Sequence, residues 1–297
     1  MRNAFVDGQH EMTADIGHRI AAVSETLAAA VRALQSRTQA PRLEAEILLA
    51  HVLGVDRSVL LARPEAKLPV ESKARFEDLI SRRVEGEPVA YLTGNREFWS
   101  IDLEVSSDVL IPRPETERLV EAALDHIPDD ASFQVADLGT GCGAVALAIS
   151  RERPLASILA TDISTRALAV AQRNVNREGA TNIRLLACSW LEAIASTTFG
   201  VIVSNPPYVR DSDPHLRQGD LPMEPRLALA GGPDGLHAIR IIVAGARIRL
   251  AKNGVLLLEH GFDQGRAVRR LLEDAGYRRI FGVNDYAGHE RVTGGQR

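Results

Sequence analysis

Two short stretches of this 297-residue sequence carry residue types that could do chemistry. The first is Asp137-Leu138-Gly139-Thr140-Gly141-Cys142-Gly143. Alternating glycines let the chain turn tightly and bring its backbone against a ligand. Asp162 follows at the end of the next apolar run, where an acid can accept hydrogen bonds from a ribose diol. The G-x-G-x-G spacing differs from the G-x-G-x-x-G that approaches a pyrophosphate. On spacing alone a dinucleotide site and a tight turn with a capping acid both stay open. The second stretch is Ser204-Asn205-Pro206-Pro207-Tyr208. Two successive prolines offer no N–H and stiffen the chain, so their carbonyls point in fixed directions. Asn205 brings an amide acceptor and donors, and Tyr208 a ring face. Such a set can accept hydrogen bonds from a planar –NH₂ group while a ring covers its plane.

Both stretches need a scaffold that gathers strand ends. From Phe133 onward short apolar runs alternate with amphipathic ones. The pattern predicts strands near 134–138, 157–162, 183–187, 201–204, 254–259 and 279–283, and helices near 145–151, 165–177, 236–250 and 264–275. That rhythm predicts an α/β fold, a mostly parallel sheet covered on both faces, with ligands beyond the C-terminal strand ends. Residues 15–86 read differently. Ile20, Val23, Leu27, Ala30, Val31 and Leu34 recur at helical spacing, Pro41 suits the first turn of a second helix, and Gly54 suits its end. Between the two regions Trp99, Ile101, Leu103 and Val105 alternate with polar residues, as in a hairpin strand. Ile111-Pro112-Arg113-Pro114 then forces extended backbone. Pro114 can open the following helix, with Glu115 and Glu117 at its positive end. Glu97, Glu115 and Glu117 read as salt-bridge partners, helix-start charges or supports for Arg113 rather than as bases.

The glycine loop with Asp162 resembles the donor site of class I methyltransferases, which bind S-adenosylmethionine. Asn205-Pro206-Pro207-Tyr208 resembles the N/D-P-P-Y/F/W signature of methyltransferases that act on amide or exocyclic amine nitrogen. Further motifs are similar to the bacterial release factor glutamine methyltransferases, the HemK/PrmC family. They include Pro88-Val89-Ala90-Tyr91-Leu92-Thr93-Gly94, Arg96-Glu97-Phe98-Trp99, Leu110 to Glu117, Glu224-Pro225, Asp234-Gly235-Leu236, Glu259-His260-Gly261 and Arg291-Val292. This resemblance spans residues 85–297; the N-terminus fits in size and type.

The resemblance implies a seven-stranded Rossmann-like class I methyltransferase domain at 115–297, its last strand antiparallel. It also implies a small helical recognition domain at 1–86 and a β-hairpin linker at 87–114. The implied reaction moves a methyl group from S-adenosylmethionine to the side-chain amide nitrogen (N5) of the glutamine in the Gly-Gly-Gln motif of class 1 peptide-chain release factors. Carried onto this sequence, Gly139, Thr140, Gly141, Cys142 and Gly143 line the donor, Asp162 holds its ribose and Trp190 packs by its adenine. Phe98, Arg113 and Asn205 lie near the donor, and Asn205, Pro206, Pro207 and Tyr208 hold the glutamine amide and carry catalysis. Two residues depart from the family pattern: Ser189 stands where an acid often precedes the aromatic residue, and Gly200 replaces an acid before the strand that leads into Asn205.

Composition bounds the alternatives. Hydrophobic residues make up 45% and charged residues 25%, an ordinary globular balance, and the net charge is −4. No apolar run approaches a membrane span. Cys142 and Cys188 are the only cysteines, too few for a disulfide framework or a thiolate metal site, and no histidines share a metal-ligand spacing. These features predict a cytoplasmic protein that needs no metal and binds no DNA directly, and a monomer is the expectation beside them. The rival functions are an adenine-N6 DNA methyltransferase, which would need a basic groove absent from this sequence, and a non-catalytic donor-binding module. The chain ends Gly294-Gly295-Gln296-Arg297, the tripeptide that the family modifies; coincidence in a frayed terminus is the expectation over self-methylation.

Overall fold

The computed structural model describes residues 21–194 and 197–297 and divides into two compact units after Gly94. The expected helix start at 15–20 lies outside the described residues. The first unit is helical: α1 (Val23–Leu34), α2 (Pro41–Leu53), α3 (Arg57–Ala62), α4 (Val70–Glu85) and α5 (Val89–Thr93). Pro41 opens α2, and Gly54 ends it in the left-handed region at φ 64°, its N–H returning to the His51 carbonyl. Leu27, Leu34, Leu48, Leu49 and Phe76 form a closed core. Glu46 is buried and neutralised by Arg42 (2.6 Å) and Arg57 (2.8 Å).

The second unit opens with the hairpin β1 (Asn95–Phe98) and β2 (Ile101–Glu104), paired antiparallel through Phe98 and Ile101. Trp99 and Ser100 form its two-residue turn at φ 54° and 55°, the twist that tight hairpins require. Pro114 opens a 3₁₀ turn over Pro114–Thr116, and the helix proper, α6 (Glu117–Leu124), starts three residues later than the proline suggested. The elements that follow are β3 (Phe133–Leu138), α7 (Ala144–Glu152), β4 (Ala156–Asp162), α8 (Thr165–Glu178), β5 (Ile183–Ala187), β6 (Phe199–Ser204), α9 (Arg226–Leu229), α10 (His237–Arg249), β7 (Leu250–Glu259), α11 (Gly265–Asp274), β8 (Arg278–Asn284) and β9 (Glu290–Gln296).

The seven-stranded sheet runs β5-β4-β3-β6-β7-β9-β8, parallel except for β9, which lies antiparallel between β7 and β8. The fold is therefore the α/β architecture expected, helical N-terminus and hairpin included. The C-terminal tail corrects one expectation. Gly294 and Gly295 are not frayed; they are buried inside β9. A Cβ on Gly294 would stand 2.3 Å from the Phe281 ring, so packing demands the glycines. Gln296 pairs with Val255 midway along β7, at the opposite end of the β7–β9 ladder from Glu259, and donates to the Asn253 carbonyl at 3.0 Å.

Among the described residues no helix is long and apolar enough to cross a membrane.

Candidate active site

The C-terminal ends of β3, β4 and β6 converge on one cavity of about 460 Å³. β3 delivers Asp137 and the glycine loop. Gly139, Gly141 and Gly143 hold φ of 74°, 57° and 88°, a left-handed run that side chains resist. The Gly139 and Thr140 amides donate to the Thr161 carbonyl at 2.8 and 2.9 Å, which locks the loop onto β4. β4 ends at Asp162, whose two oxygens accept from the Gly141 N–H (3.0 Å) and the Ser164 N–H (2.9 Å). Burial raises the Asp162 pKa against these lowering hydrogen bonds. Beyond β5, Cys188, Ser189 and Trp190 complete this side. Trp190 sits at φ 49°, and its carbonyl accepts from the Thr161 hydroxyl at 3.1 Å. A Cβ on Gly139 would meet the Trp190 ring at 3.2 Å, so loop and indole are in close contact.

Beyond β6, Asn205 and Pro207 face the same cavity. The end of β6 is tied to β3 by Ser204 Oγ, which donates to the Leu138 carbonyl at 2.7 Å. The returning chain at Gly231 and Gly235 presses directly on this segment. Their added Cβ atoms would fall 2.6 Å from the Pro207 carbonyl oxygen and 2.3 Å from that of Tyr208. Gln264 Nε2 also donates to the Tyr208 carbonyl, at 3.0 Å. Asn205 Nδ2 donates to Thr116 Oγ1 at 3.1 Å.

Of the residues named from sequence, Gly139, Thr140, Gly141, Cys142, Asp162, Trp190, Asn205, Pro207 and Arg113 line the cavity. Four do not. Phe98 is 2% exposed and pairs with Ile101 across the hairpin. Gly143 caps α7 and backs onto Ala171. Pro206 is buried. Tyr208 packs against the core around β6 and β7, and its hydroxyl turns to Glu259 Oε1 at 3.3 Å. Arg113 is held by Glu224, not by Glu97, Glu115 or Glu117. Glu97 instead accepts from the Ser100 amide at 2.6 Å and Glu117 from the Trp99 amide at 3.2 Å, so both brace the hairpin turn.

Sequence reasoning missed four site residues. Asp137 lines the cavity, is buried beside the Thr140 hydroxyl (2.6 Å), and has its pKa raised to about 6 by burial. Thr116 lines the cavity and is 4% exposed. Glu224 pairs with Arg113 and accepts from the Ile111 amide at 3.0 Å, clipping the proline segment to the loop before α9. Glu259 ends β7 behind Tyr208. Asp137, Thr116, Glu224 and Glu259 each belong to a motif quoted above, which was the available signal. Their roles arise from contacts across the fold.

The departures from the expected pattern also have structural settings. Ser189 lies on the cavity wall beside Trp190. Gly200 lies within β6, at its register shift against β7, under the Phe133 ring. A Cβ there would stand 2.1 Å from Phe133 Cζ, so no side chain fits without displacing the ring.

The arrangement has the parts of a nucleoside-donor site. Acceptor-only carboxylates lie at the ends of β3 and β4, a loop almost without side chains runs between them, and an indole and apolar side chains such as Val145, Ile163 and Ile241 form the walls. Residues 118–219 match the methyltransferase small domain family model. The fold is similar to that of a methyltransferase from Pyrococcus furiosus, at 17% identity and TM-score 0.52, over 74% of this chain and 98% of that one. Fold and site thus define a methyltransferase of the Rossmann-like class. Residues 25–94 match the PrmC N-terminal domain model. The chain is 48% identical to a release factor glutamine methyltransferase from Xylella fastidiosa, over 86% of this chain and 93% of that protein. It is 44% identical to one from Coxiella burnetii, over 97% and 98% respectively. The chain belongs to the release factor glutamine methyltransferase family.

Proposed function

We propose that this chain methylates the side-chain amide nitrogen (N5) of the glutamine in the Gly-Gly-Gln motif of class 1 peptide-chain release factors, with S-adenosylmethionine as donor. The observation that carries this reading is that Asn205 and Pro207 share one cavity with Gly139, Thr140, Gly141, Cys142, Asp162 and Trp190. A donor and an amide would therefore meet without an intervening wall. The donor, when bound, supplies an electrophilic methyl group on a sulfonium. Asp162 would hold its ribose hydroxyls, Trp190 and Ile163 would pack on its base, and Asp137 is placed to face its positive end. The residue types and their burial fit such a group.

A glutamine amide nitrogen is a poor nucleophile because its lone pair is delocalised. No His or Lys side chain lines the cavity close enough in sequence to Asn205 to form part of its motif; His237 is contributed by α10. Catalysis by this reading is positional. The Asn205 carboxamide oxygen and the Pro206 carbonyl, which is bonded to the ring nitrogen of the cavity-lining Pro207, accept the two amide N–H groups and turn the lone pair toward the methyl. These acceptors bind more tightly as the nitrogen gains positive charge, so they favour the transition state over the bound substrate; one N–H proton then leaves the nitrogen to give the neutral methyl amide.

The test is incubation with methyl-labelled donor and, in parallel, a release factor, its Gln→Ala variant in the Gly-Gly-Gln motif, and duplex DNA. Label in the release factor alone is expected. Label in DNA only would replace this reading with a base methyltransferase, and donor binding with no transfer would replace it with a binding module.

A further inference from the structure

Behind the glycine loop one fully buried side chain ties together two segments of the cavity. Asn174 lies on α8. Its Nδ2 donates to the Cys142 carbonyl at 2.9 Å and to the Glu104 carbonyl at 3.0 Å. Its Oδ1 accepts from the Glu104 N–H at 2.8 Å. Both amide protons and the oxygen are therefore used, and the carboxamide has one favourable orientation. The opposite flip would set its oxygen against two carbonyl oxygens. Neither partner is local: Cys142 is 32 residues away in sequence and Glu104 is 70.

Each partner leads into the cavity. Cys142 lines it, and the peptide between Cys142 and Gly143 is tied at both ends. Its carbonyl accepts from Asn174, and its N–H donates to the Thr140 carbonyl at 2.9 Å. Gly143 lets this peptide approach α8, where an added Cβ would stand 3.5 Å from that of Ala171. The other end of the loop is held by the Thr161 carbonyl, so Asn174 supplies the second anchor. Glu104 ends β2, and the chain beyond it gives Ser107, Asp108, Val109 and Leu110 to the lining. A loop built on three glycines has much backbone freedom to lose. Fixing it before a ligand arrives removes that ordering cost from binding. Helix propensity does not account for the residue, since alanine would suit the interior of α8 better than asparagine.

We propose that Asn174 is a positioning residue for the donor: it pins the Cys142 end of the glycine loop and the start of the 105–110 segment to α8, so that the cavity is set for S-adenosylmethionine before it enters. The inference rests on the donor proposed above. It assigns Asn174 no contact with that donor, since Asn174 lies behind the lining.

The test compares wild type, Asn174→Ala, Asn174→Asp and Arg173→Ala. Calorimetry at a temperature well below each melting midpoint gives the Kd for S-adenosylmethionine, and steady-state methylation of a release factor gives kcat and the KM for the donor. Asn174→Ala is expected to weaken donor binding about tenfold or more, the worth of buried hydrogen bonds left unmade. The KM for the donor should rise by a similar factor, while kcat at saturating donor stays within about threefold. Asn174→Asp keeps the shape but turns oxygens toward both carbonyls, and should weaken binding at least as much. Arg173→Ala removes the exposed bond from Arg173 to the Glu104 carboxylate (2.8 Å) and leaves Asn174 in place; its donor affinity is expected to stay within about twofold of wild type.

Where the Asn174 variants do not fold, hydrogen exchange in wild type decides the matter. The Glu104 and Gly143 amides are expected to be protected already in the donor-free protein. Protection that appears only after the donor binds would overturn the inference. So would a folded Asn174→Ala with donor affinity within about twofold of wild type, or an equal loss of affinity in Arg173→Ala. Failure of wild type to bind S-adenosylmethionine would instead overturn the donor reading on which the inference rests. Donor binding without methylation of any release factor would overturn the proposed substrate alone.

Discussion

Replacing Asn205 with Ala removes a carboxamide that has one described protein partner, Thr116 at 3.1 Å, and otherwise faces the cavity. The cost divides between folding and catalysis. Thr116 loses one approaching N–H, a loss of about 1 kcal/mol, so the variant folds. At the substrate, one acceptor disappears from an amide whose nitrogen becomes more positive as the methyl arrives. An unmade buried hydrogen bond of about 1–3 kcal/mol corresponds to a loss of roughly 10–100-fold. Because the interaction strengthens along the reaction, the loss belongs mainly to kcat, with KM for the release factor little changed. Donor contacts at Asp162 and Trp190 are untouched, so S-adenosylmethionine affinity should stay within about threefold of wild type. Single-turnover transfer at saturating donor, paired with calorimetric donor binding, separates these effects. Transfer within about twofold of the wild-type rate, with donor bound normally, would refute the positional role of Asn205.

Three further outcomes follow from the packing. Glu224→Ala leaves the Arg113 guanidinium and the Ile111 N–H without their buried partner; urea denaturation should show about 3 kcal/mol less stability, and a loss below about 1 kcal/mol would mean that the clip is not needed. Gly200→Asp, which installs the acid common in the family, drives its Cβ into the Phe133 ring and should destabilise by about 1–3 kcal/mol, with part of the loss recovered in a Phe133→Ala background; an unchanged melting temperature would refute the contact. Glu259 binds its proton more tightly folded, at about 7, than an ordinary glutamate does at 4.5. Its contribution to stability is therefore fully present below about 4.5 and fades as pH rises through about 7, roughly 3 kcal/mol in all. The stability difference between Glu259→Gln and wild type should move in favour of the variant across that window, and a difference independent of pH would contradict a buried, titrating Glu259.

The sequence disclosed what is encoded locally. Gly139, Gly141 and Gly143 mark a left-handed loop because few other residues accept those angles, and Asn205-Pro206-Pro207 marks a rigid strand end for the same kind of reason. Parallel strands such as Ile183–Ala187 were legible as apolar runs. Strand Glu290–Gln296 was not, since its glycines suit a strand only where Phe281 and its neighbours fill the space that side chains would take. Thr116, Glu224 and Glu259 were hidden for a related reason: Thr116 meets Asn205 across 89 residues of sequence and Glu224 meets Arg113 across 111.

Mass spectrometry of a release factor treated with this protein and S-adenosylmethionine, with peptide fragmentation to locate the modification, reads the transfer itself. A gain of one methyl group is expected, confined to the side-chain amide of the glutamine in the Gly-Gly-Gln motif and absent when Asn205 is replaced by Ala at equal reaction time. A methyl group on any other residue, or on that glutamine at an equal rate with the Asn205 variant, would contradict it.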